Sequence, residues 1–313
     1  MRTTITAIVL AFLSWSAVAA NVVRDYPFEK VAENTWVIHG PLGHPSVENQ
    51  GFMNNPGIVM TSAGVVIVDP GSSVMAGEMV LRMIAKVTDK PVIATFNTHV
   101  HGDHWLGNQA VRAAYPNTPI YAHPKLIEKV AAGEGDNWVA MMDRLTKGFT
   151  KGTRVEVANK ALNHGDEVKI GGKTFRIHHY GQAHSVTDIM IEVVEDGVVF
   201  LGDNVTAKRI PSLRHGTFQG NISTLKKILK TDAKTWVPGH GPSGDQSVVT
   251  VYMDYLSAVY EAAKLAFNDD LGSSEAKPIV MKKTAAFSGW EGYESEIGPQ
   301  SIQAYLEVEA SEF

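Results

Sequence analysis

The sequence has 313 residues, of which 44% are hydrophobic and 19% charged, a balance typical of a folded globular protein with a sizeable core. The formal net charge is −5 at pH 7 and no long run of like charge is present, which excludes the basic footprint of a nucleic-acid binder. The chain has no cysteine, which excludes disulfides and thiolate metal ligands. We therefore expect a small-molecule partner, with imidazole and carboxylate groups as the available metal ligands.

The first twenty residues have the pattern of a secretory signal peptide. Arg2 precedes an apolar stretch over residues 5–15, and small residues follow it directly. The apolar stretch is shorter than the roughly 20 residues that a membrane-spanning helix needs. We expect cleavage after Ala19 or Ala20, which predicts a periplasmic or secreted protein that keeps no stable membrane anchor.

Short apolar runs rich in β-branched residues predict two sets of strands. The first set comprises residues 35–38, 58–60, 65–68, 92–96 and 120–121, and the second comprises 167–170, 174–178, 189–194, 198–201 and 235–237. Helical spacing of apolar residues predicts helices at 74–87, 106–115, 137–147, 222–229 and 248–267. Two strand-rich halves separated by helices indicate an α/β protein, in which two mixed sheets form a sandwich covered outside by helices.

The C-terminal part, from about residue 269, is rich in Gly, Ser and Pro before a helical stretch at 299–308. A separate domain of about forty residues without disulfide or metal is hard to stabilise. We therefore expect one domain over residues 21–313, with residues 269–313 as a helical tail packed on it.

Residues 97–105 hold the densest group of potential metal ligands in the sequence. His99 and His101 lie on the same side of an extended chain because side chains alternate, so both can bind one ion. Gly102 allows the chain to turn, which lets Asp103 and His104 face a second ion. The spacing predicts a site for two metal ions.

Three further candidate ligands, His184, Asp203 and His240, come just after predicted strands. Loops beyond strand ends, held by a rigid scaffold, are where such proteins collect functional side chains. We therefore expect these segments to converge with residues 99–104 in one cleft.

Together these residues resemble the signature segments of the metallo-β-lactamase superfamily. The resemblance lies in His99-x-His101-x-Asp103-His104, in His184, in Gly202-Asp203 and in Gly239-His240-Gly241, and it extends over residues 35–240. It implies an αββα sandwich with the site at the common edge of the two sheets. It also implies that one metal is held by His99, His101 and His184, that the other is held by Asp103, His104 and His240, and that Asp203 bridges them.

Asp203 stands where some β-lactamases of this superfamily have cysteine, and in this respect the chain is similar to glyoxalase II-like hydrolases. Ala183-His184-Ser185, with Asp188 after it, resembles an exported β-lactamase-like subgroup linked to sulfur-oxidation and quinoprotein systems. That subgroup has no settled substrate, so the resemblance does not predict lactamase activity.

The expected ligands suit two Zn²⁺ ions, with iron as an alternative. Two such ions provide a bridging hydroxide. This predicts a hydrolase that cleaves an ester, thioester, lactone or amide. We expect Asp103 to orient the hydroxide and move its proton. Two alternatives stay open: an iron-dependent oxidoreductase of the same fold, resembling persulfide dioxygenases, and a metal-dependent binding protein without turnover.

Other candidate residues have weaker signals. Asp69 either supports a ligand by hydrogen bonding or serves only in a turn. Lys208, Arg209 and Arg214 either bind an anionic part of the substrate or only solvate a loop. We expect a structural or exposed position for the histidines without ligand spacing, namely His39, His44, His123, His164, His178, His179 and His215. The sequence does not predict an oligomeric state.

Overall fold

The computed structural model describes residues 21–312, so the predicted signal peptide lies outside the described residues. The strands are β1 (Glu29–Ala32), β2 (Thr35–Val37), β3 (Gly57–Met60), β4 (Val65–Val68), β5 (Val92–Phe96), β6 (Ile120–Ala122), β7 (Lys160–Ala161), β8 (Glu167–Ile170), β9 (Lys173–His178), β10 (Met190–Val193), β11 (Val198–Phe200) and β12 (Thr235–Val237). The helices are α1 (Val74–Ala85), α2 (Gly102–Trp105), α3 (Asn108–Ala114), α4 (Pro124–Lys129), α5 (Gly135–Leu145), α6 (Phe218–Ile228), α7 (Ser247–Asn268), α8 (Ala276–Lys283) and α9 (Tyr293–Ser311). None of these helices is both long and apolar enough to span a membrane.

The strands form two mixed sheets, as the sequence predicts. The first has the order β1-β2-β3-β4-β5-β6-β7, antiparallel from β1 to β4 and parallel from β4 to β7. The second has the order β12-β11-β10-β9-β8, and only β11 and β12 are parallel. Parallel neighbours end at the same edge of a sheet, so the loops after β4 and β5, and those after β11 and β12, lie side by side.

Side-chain alternation along the strands produces the layers. In β4, Val66 joins Phe200 of the second sheet in one apolar cluster, whereas Val65 and Ile67 join Met79 of α1 in another. On the outer face of the second sheet, α6, α7, α8 and α9 pack through a third cluster. The predicted αββα sandwich is therefore confirmed.

Several boundaries differ from the prediction. The predicted helix at 106–115 is shorter, because α2 ends at Trp105 and α3 begins at Asn108. The tail contains two helices where the sequence predicted only 299–308. Pro278 lies in the first turn of α8, where backbone N–H groups have no partner within the helix, so a proline there costs no hydrogen bond. Pro299 lies on the exposed face of α9. Packing of the buried face thus overrides the proline signals.

Helix α9 also contacts the loop that follows Asp203, here called the basic loop (residues 208–217). Gln300 Nε2 donates a hydrogen bond to the carbonyl oxygen of Pro211 at 2.7 Å. Gln303 Nε2 lies 2.9 Å from the carbonyl oxygen of Leu213 and 3.0 Å from that of Gly216, and donates to both. The conformation of the basic loop therefore depends on α9.

Candidate metal centre

The predicted ligands converge at the edge of the sandwich where β5, β11 and β12 end. Each side chain follows a strand, although Asp103 and His104 lie in α2 and Asp203 in a 3-10 turn. Each of the seven is at least nine-tenths buried: His99, His101, Asp103, His104, His184, Asp203 and His240. Their donor atoms form two groups, within each of which all atoms lie within 4.8 Å of one another. One group is His99, His101, His184 and Asp203, and the other is Asp103, His104 and His240.

The Asp203 carboxylate lies between the two groups. Its Oδ1 is 3.2 Å from His104 Nε2 and 3.3 Å from His240 Nε2. Its Oδ2 is 3.6 Å from His184 Nε2 and 3.9 Å from His99 Nε2. Each oxygen thus faces a different group of imidazoles, which is the arrangement that a bridging carboxylate needs.

Two glycines make this close approach possible. Gly202 has φ +52°, and a Cβ there would lie 2.8 Å from Thr98 Cβ. A Cβ on Gly239 would overlap the Oδ1 atom of Asp203. A side chain at either position would push Asp203 away from the imidazoles, which explains the glycines beside two of the ligands.

A cation fits this donor set. His99 Nε2 is buried without a hydrogen-bond partner among the described residues, and Asp203 Oδ1 makes no contact of hydrogen-bond geometry there, although two imidazole nitrogens lie within 3.3 Å. Buried polar atoms are almost always paired, so these two require a partner of another kind. Neutral imidazoles and carboxylates are ligands for zinc and iron alike, so the two groups fit a dinuclear site without identifying the metal.

Burial prepares the imidazoles of the first group for metal binding. It lowers the pKa of His99 and His101 well below the usual histidine value, and it lowers the pKa of His184 to about 4. These rings are therefore neutral at pH 7 and offer a lone pair to a cation.

The second group carries more charge. Burial favours the neutral form of Asp103 and Asp203, but His104 and His240 outweigh it and keep the pKa of both carboxyls below the usual range. Burial lowers the pKa of His104, but the negative charges of Asp203, Asp103 and Asp69 raise it by more than burial lowers it. The pKa of His104 therefore lies well above the usual histidine value. A cation at this group therefore competes with a proton on His104.

Hydrogen bonds from the surrounding chain orient the rings of the second group. Asp69, just after β4, has φ +54° and accepts from the Thr98 amide at 2.8 Å and from the Thr98 hydroxyl at 2.7 Å. Its Oδ2 also lies 2.8 Å from His104 Nδ1. Likewise His240 Nδ1 lies 2.8 Å from the carbonyl oxygen of Met53. When Nδ1 of each ring donates in this way, Nε2 is left to face the cation.

The loop that carries His184 is held by its own hydrogen bonds. Asp188 accepts from the Ser185 amide at 2.7 Å, and burial raises the pKa of Asp188 to about 7. Thr187 Oγ1 accepts from the Val100 amide at 3.0 Å, which ties this loop to the His99–His104 segment.

His101 is oriented by a residue that the sequence did not predict as part of the site. Its Nδ1 lies 2.9 Å from His184 Nε2 and faces the first group, whereas its Nε2 lies 2.9 Å from His215 Nδ1. His215 belongs to the basic loop and is exposed. The contact joins positions 114 apart, so no local spacing in the sequence could indicate it.

A cavity of about 250 Å³ opens onto the centre. Besides the metal ligands, its lining includes Met53, Trp138, Arg209, Arg214 and Glu296, together with His44. Of the three predicted substrate contacts, Arg209 is buried in this lining and Arg214 is exposed at its rim, whereas Lys208 is exposed and does not line the cavity.

Sequence comparison identifies the family. The sequence model of the metallo-beta-lactamase superfamily matches residues 50–240, which is more than half of the chain. The chain belongs to the metallo-beta-lactamase superfamily. A probable metallo-hydrolase of Streptococcus pyogenes is 26% identical over 66% of this chain and 84% of its own length. A hydroxyacylglutathione hydrolase of Acaryochloris marina is 25% identical over 55% of this chain and 61% of its own length, so the match spans less than two thirds of that relative.

Solved structures share the fold. A metallo-beta-lactamase from Pontibacter korlensis superposes with a TM-score of 0.61 at 19% identity, over 74% of this chain and 99% of its own. An inverting sec-alkylsulfatase from a Pseudomonas species superposes with a TM-score of 0.70 at 13% identity, over 90% of this chain and 50% of its own. Sequence and fold together support a metal-dependent hydrolase.

Proposed function

We propose that this protein is an exported dinuclear zinc hydrolase that cleaves an ester, thioester, lactone or amide. The observation that carries the proposal is the position of Asp203, whose two oxygens face two different groups of buried imidazoles. When bound at such a centre, two zinc ions supply Lewis acidity and lower the pKa of water toward neutrality.

The chain's own residues supply orientation and proton movement. Asp103 lines the cavity, and its Oδ2 lies 3.2 Å from His240 Nε2. Its ionised carboxylate can accept a hydrogen bond from an attacking water and orient it. Because neighbouring histidines keep its pKa below the usual carboxyl range, Asp103 is ionised at pH 7 and can take a proton from the attacking water and pass it to the leaving group.

Two arginines favour a substrate with an anionic group. Arg209 is only 5% exposed and forms no ion pair with a carboxylate among residues 21–312, and Arg214 stands at the rim of the same cavity. A guanidinium binds a carboxylate with two parallel hydrogen bonds. The relatives named hydroxyacylglutathione hydrolases favour a thioester, so thioesters with an acidic group are the first substrates to test.

Asp203→Asn tests the proposal because it keeps the shape of the side chain and removes its charge. We expect a folded variant that retains about one zinc and loses most hydrolysis, since the paired cations then repel with less compensation. Asp196→Asn is the matched control, because Asp196 is also buried but pairs with Lys173. Metal analysis beside circular dichroism measures the result, and a folded, active variant with two zinc ions would refute the bridging role.

The substrate and the metal are tested on wild-type protein. Zinc-loaded protein is screened for hydrolysis of lactams, lactones, thioesters and phosphoesters. Metal analysis should give about two zinc ions per chain. Iron with visible absorbance would instead favour the oxidoreductase, and intact metal sites without turnover on any panel member would favour a binding protein.

Export is proposed from the leader pattern alone. We expect periplasmic material to begin at Ala20 or Asn21. Intact-mass measurement checks this, and a mass that includes residues 1–19 would contradict it.

A further inference from the structure

A groove of about 910 Å³ adjoins the metal cavity. The two share Trp138, Met141 and Arg214, which therefore form a common wall. The other side of the groove is formed by the turn at residues 130–134, which kinks at Gly133 with φ +107°, and by Val186 of the His184 loop.

The volumes show that the metal cavity alone holds little. Pockets for drug-sized ligands measure about 300–1,000 Å³, whereas the metal cavity measures about 250 Å³. The cavity can therefore take the scissile group and a few attached atoms. Any larger substrate must extend beyond it, and the groove is the neighbouring space that shares part of its lining.

The lining of the groove indicates what part of a substrate it accepts. Val100, Ala132 and Val186 add apolar surface to that of Trp138 and Met141. The charges of Lys129 and Glu134 offset one another, since Lys129 Nζ lies 3.2 Å from Glu134 Oε2. Arg214, at the boundary of the two spaces, forms no ion pair with a carboxylate among residues 21–312, and Glu296 of the metal cavity lies close enough to interact with its charge.

Trp138 is held firmly at this boundary. Its Cβ packs over Gly102, where an added Cβ would lie only 2.7 Å away, and its ring centroid lies 5.0 Å from that of His101. The indole thus lies against the candidate ligand His101, while the side chain also lines the groove. We propose that the groove is a second substrate subsite, which binds an aromatic or other apolar part of a substrate whose scissile group lies in the metal cavity. This inference rests on the proposed function.

Two thiol acids test the subsite by binding rather than by turnover. Mercaptoacetate is small enough for the metal cavity, and 2-mercapto-3-phenylpropanoate carries the same thiol and carboxylate with an added benzyl group. Calorimetric titration of the zinc-loaded protein should show about tenfold tighter binding of the benzyl compound, because a phenyl group leaves water for an apolar wall. Trp138→Ala should remove this gain, measured as the ratio of the two affinities within the same variant, whereas Trp138→Phe should keep most of it.

Leu145→Ala is the matched control, because Leu145 belongs to the same helix and lines the metal cavity but not the groove. It should leave the benzyl gain intact. If Trp138→Ala does not fold, Ala132→Phe tests the same point by filling the groove from its exposed side. Equal binding of the two compounds by wild-type protein, or a benzyl gain that survives both variants, would overturn the subsite alone. Failure of mercaptoacetate to bind zinc-loaded protein would overturn the proposed metal centre and the subsite with it.

Discussion

His101 differs from His104 and His240 in the ring nitrogen that faces the centre. Those two offer Nε2, whereas His101 offers Nδ1 and presents Nε2 to His215 at 2.9 Å. When His101 Nδ1 binds a cation, its Nε2 carries the proton and donates a hydrogen bond to His215 Nδ1. An acceptor in this place fixes the tautomer and the orientation of the ligand.

Replacing His215 should therefore change metal affinity although His215 is not itself a candidate ligand. His215→Leu removes the acceptor, and we expect about tenfold weaker binding of one zinc ion. His215→Asn places an amide oxygen near the position of Nδ1 and should restore most of the affinity. Competition with a chromophoric chelator measures the constants. His164→Leu, a histidine that contacts no ligand, should have no effect; wild-type affinity in His215→Leu would rule out the positioning role.

At the residue scale, the seven candidate ligands that the structure brings together have a local signal in the sequence. Four lie within six positions, and the others follow strand ends. The sequence leaves two roles open for Asp69, support of a ligand or a turn alone, and its hydrogen bonds to Thr98 and His104 favour support of a ligand. His215 and Trp138 have no such local signal, because each reaches the site only through the tertiary fold.

Among the elements, most strands and the long helix α7 are predictable from periodicity, whereas β7 and α4 are not. β7 has only two residues, both exposed, and α4 has six, so neither shows a repeating apolar pattern. Helix α4 instead depends on its cap: His123 Nδ1 accepts a hydrogen bond from the Lys125 amide at 3.3 Å. The His123 ring also lies 4.3 Å from that of His179.

The cap makes folding stability depend on pH. Burial, with help from His179 and Lys125, lowers the pKa of His123 from 6.5 to about 4. The unfolded chain therefore takes up this proton at higher pH than the folded chain, so stability is present above pH 6.5 and is lost as the pH falls toward 4. His123→Asn keeps a capping acceptor that does not titrate.

We expect wild-type protein to lose about 2 kcal/mol more unfolding free energy than His123→Asn between pH 7 and pH 4.5. Urea unfolding at both pH values measures the difference, and metal-linked effects cancel because both proteins keep the same centre. Parallel pH profiles of the two proteins would show that His123 does not contribute.

At the scale of the whole molecule, a chain without cysteine has no disulfide to stabilise it, so a metal bound at the candidate centre would add to the stability of the core. The seven ligands come from four separate segments that belong to both sheets. A cation that binds them all favours the folded state, because the unfolded chain does not hold them together.

Chelation should therefore lower the melting temperature. At free zinc of about 100 times the dissociation constant, each site adds about 2.7 kcal/mol, which corresponds to several degrees for a chain of this size. Differential scanning calorimetry with and without chelator, followed by zinc restoration, measures the change. Asp203→Asn should show a smaller shift, and equal melting temperatures with and without chelator would contradict a structural contribution of the metals.

The hydrogen bonds from α9 to the basic loop connect positions 87 to 90 residues apart. None of the seven candidate ligands lies in α9 or in the basic loop. Local opening of α9 therefore frees the segment that carries Arg209 and Arg214 without displacing a ligand. Such an opened molecule keeps all seven candidate ligands in place, but it loses the arginine contacts with substrate and the His215 contact with His101. The metal content of a preparation consequently sets only an upper limit on the number of working active sites.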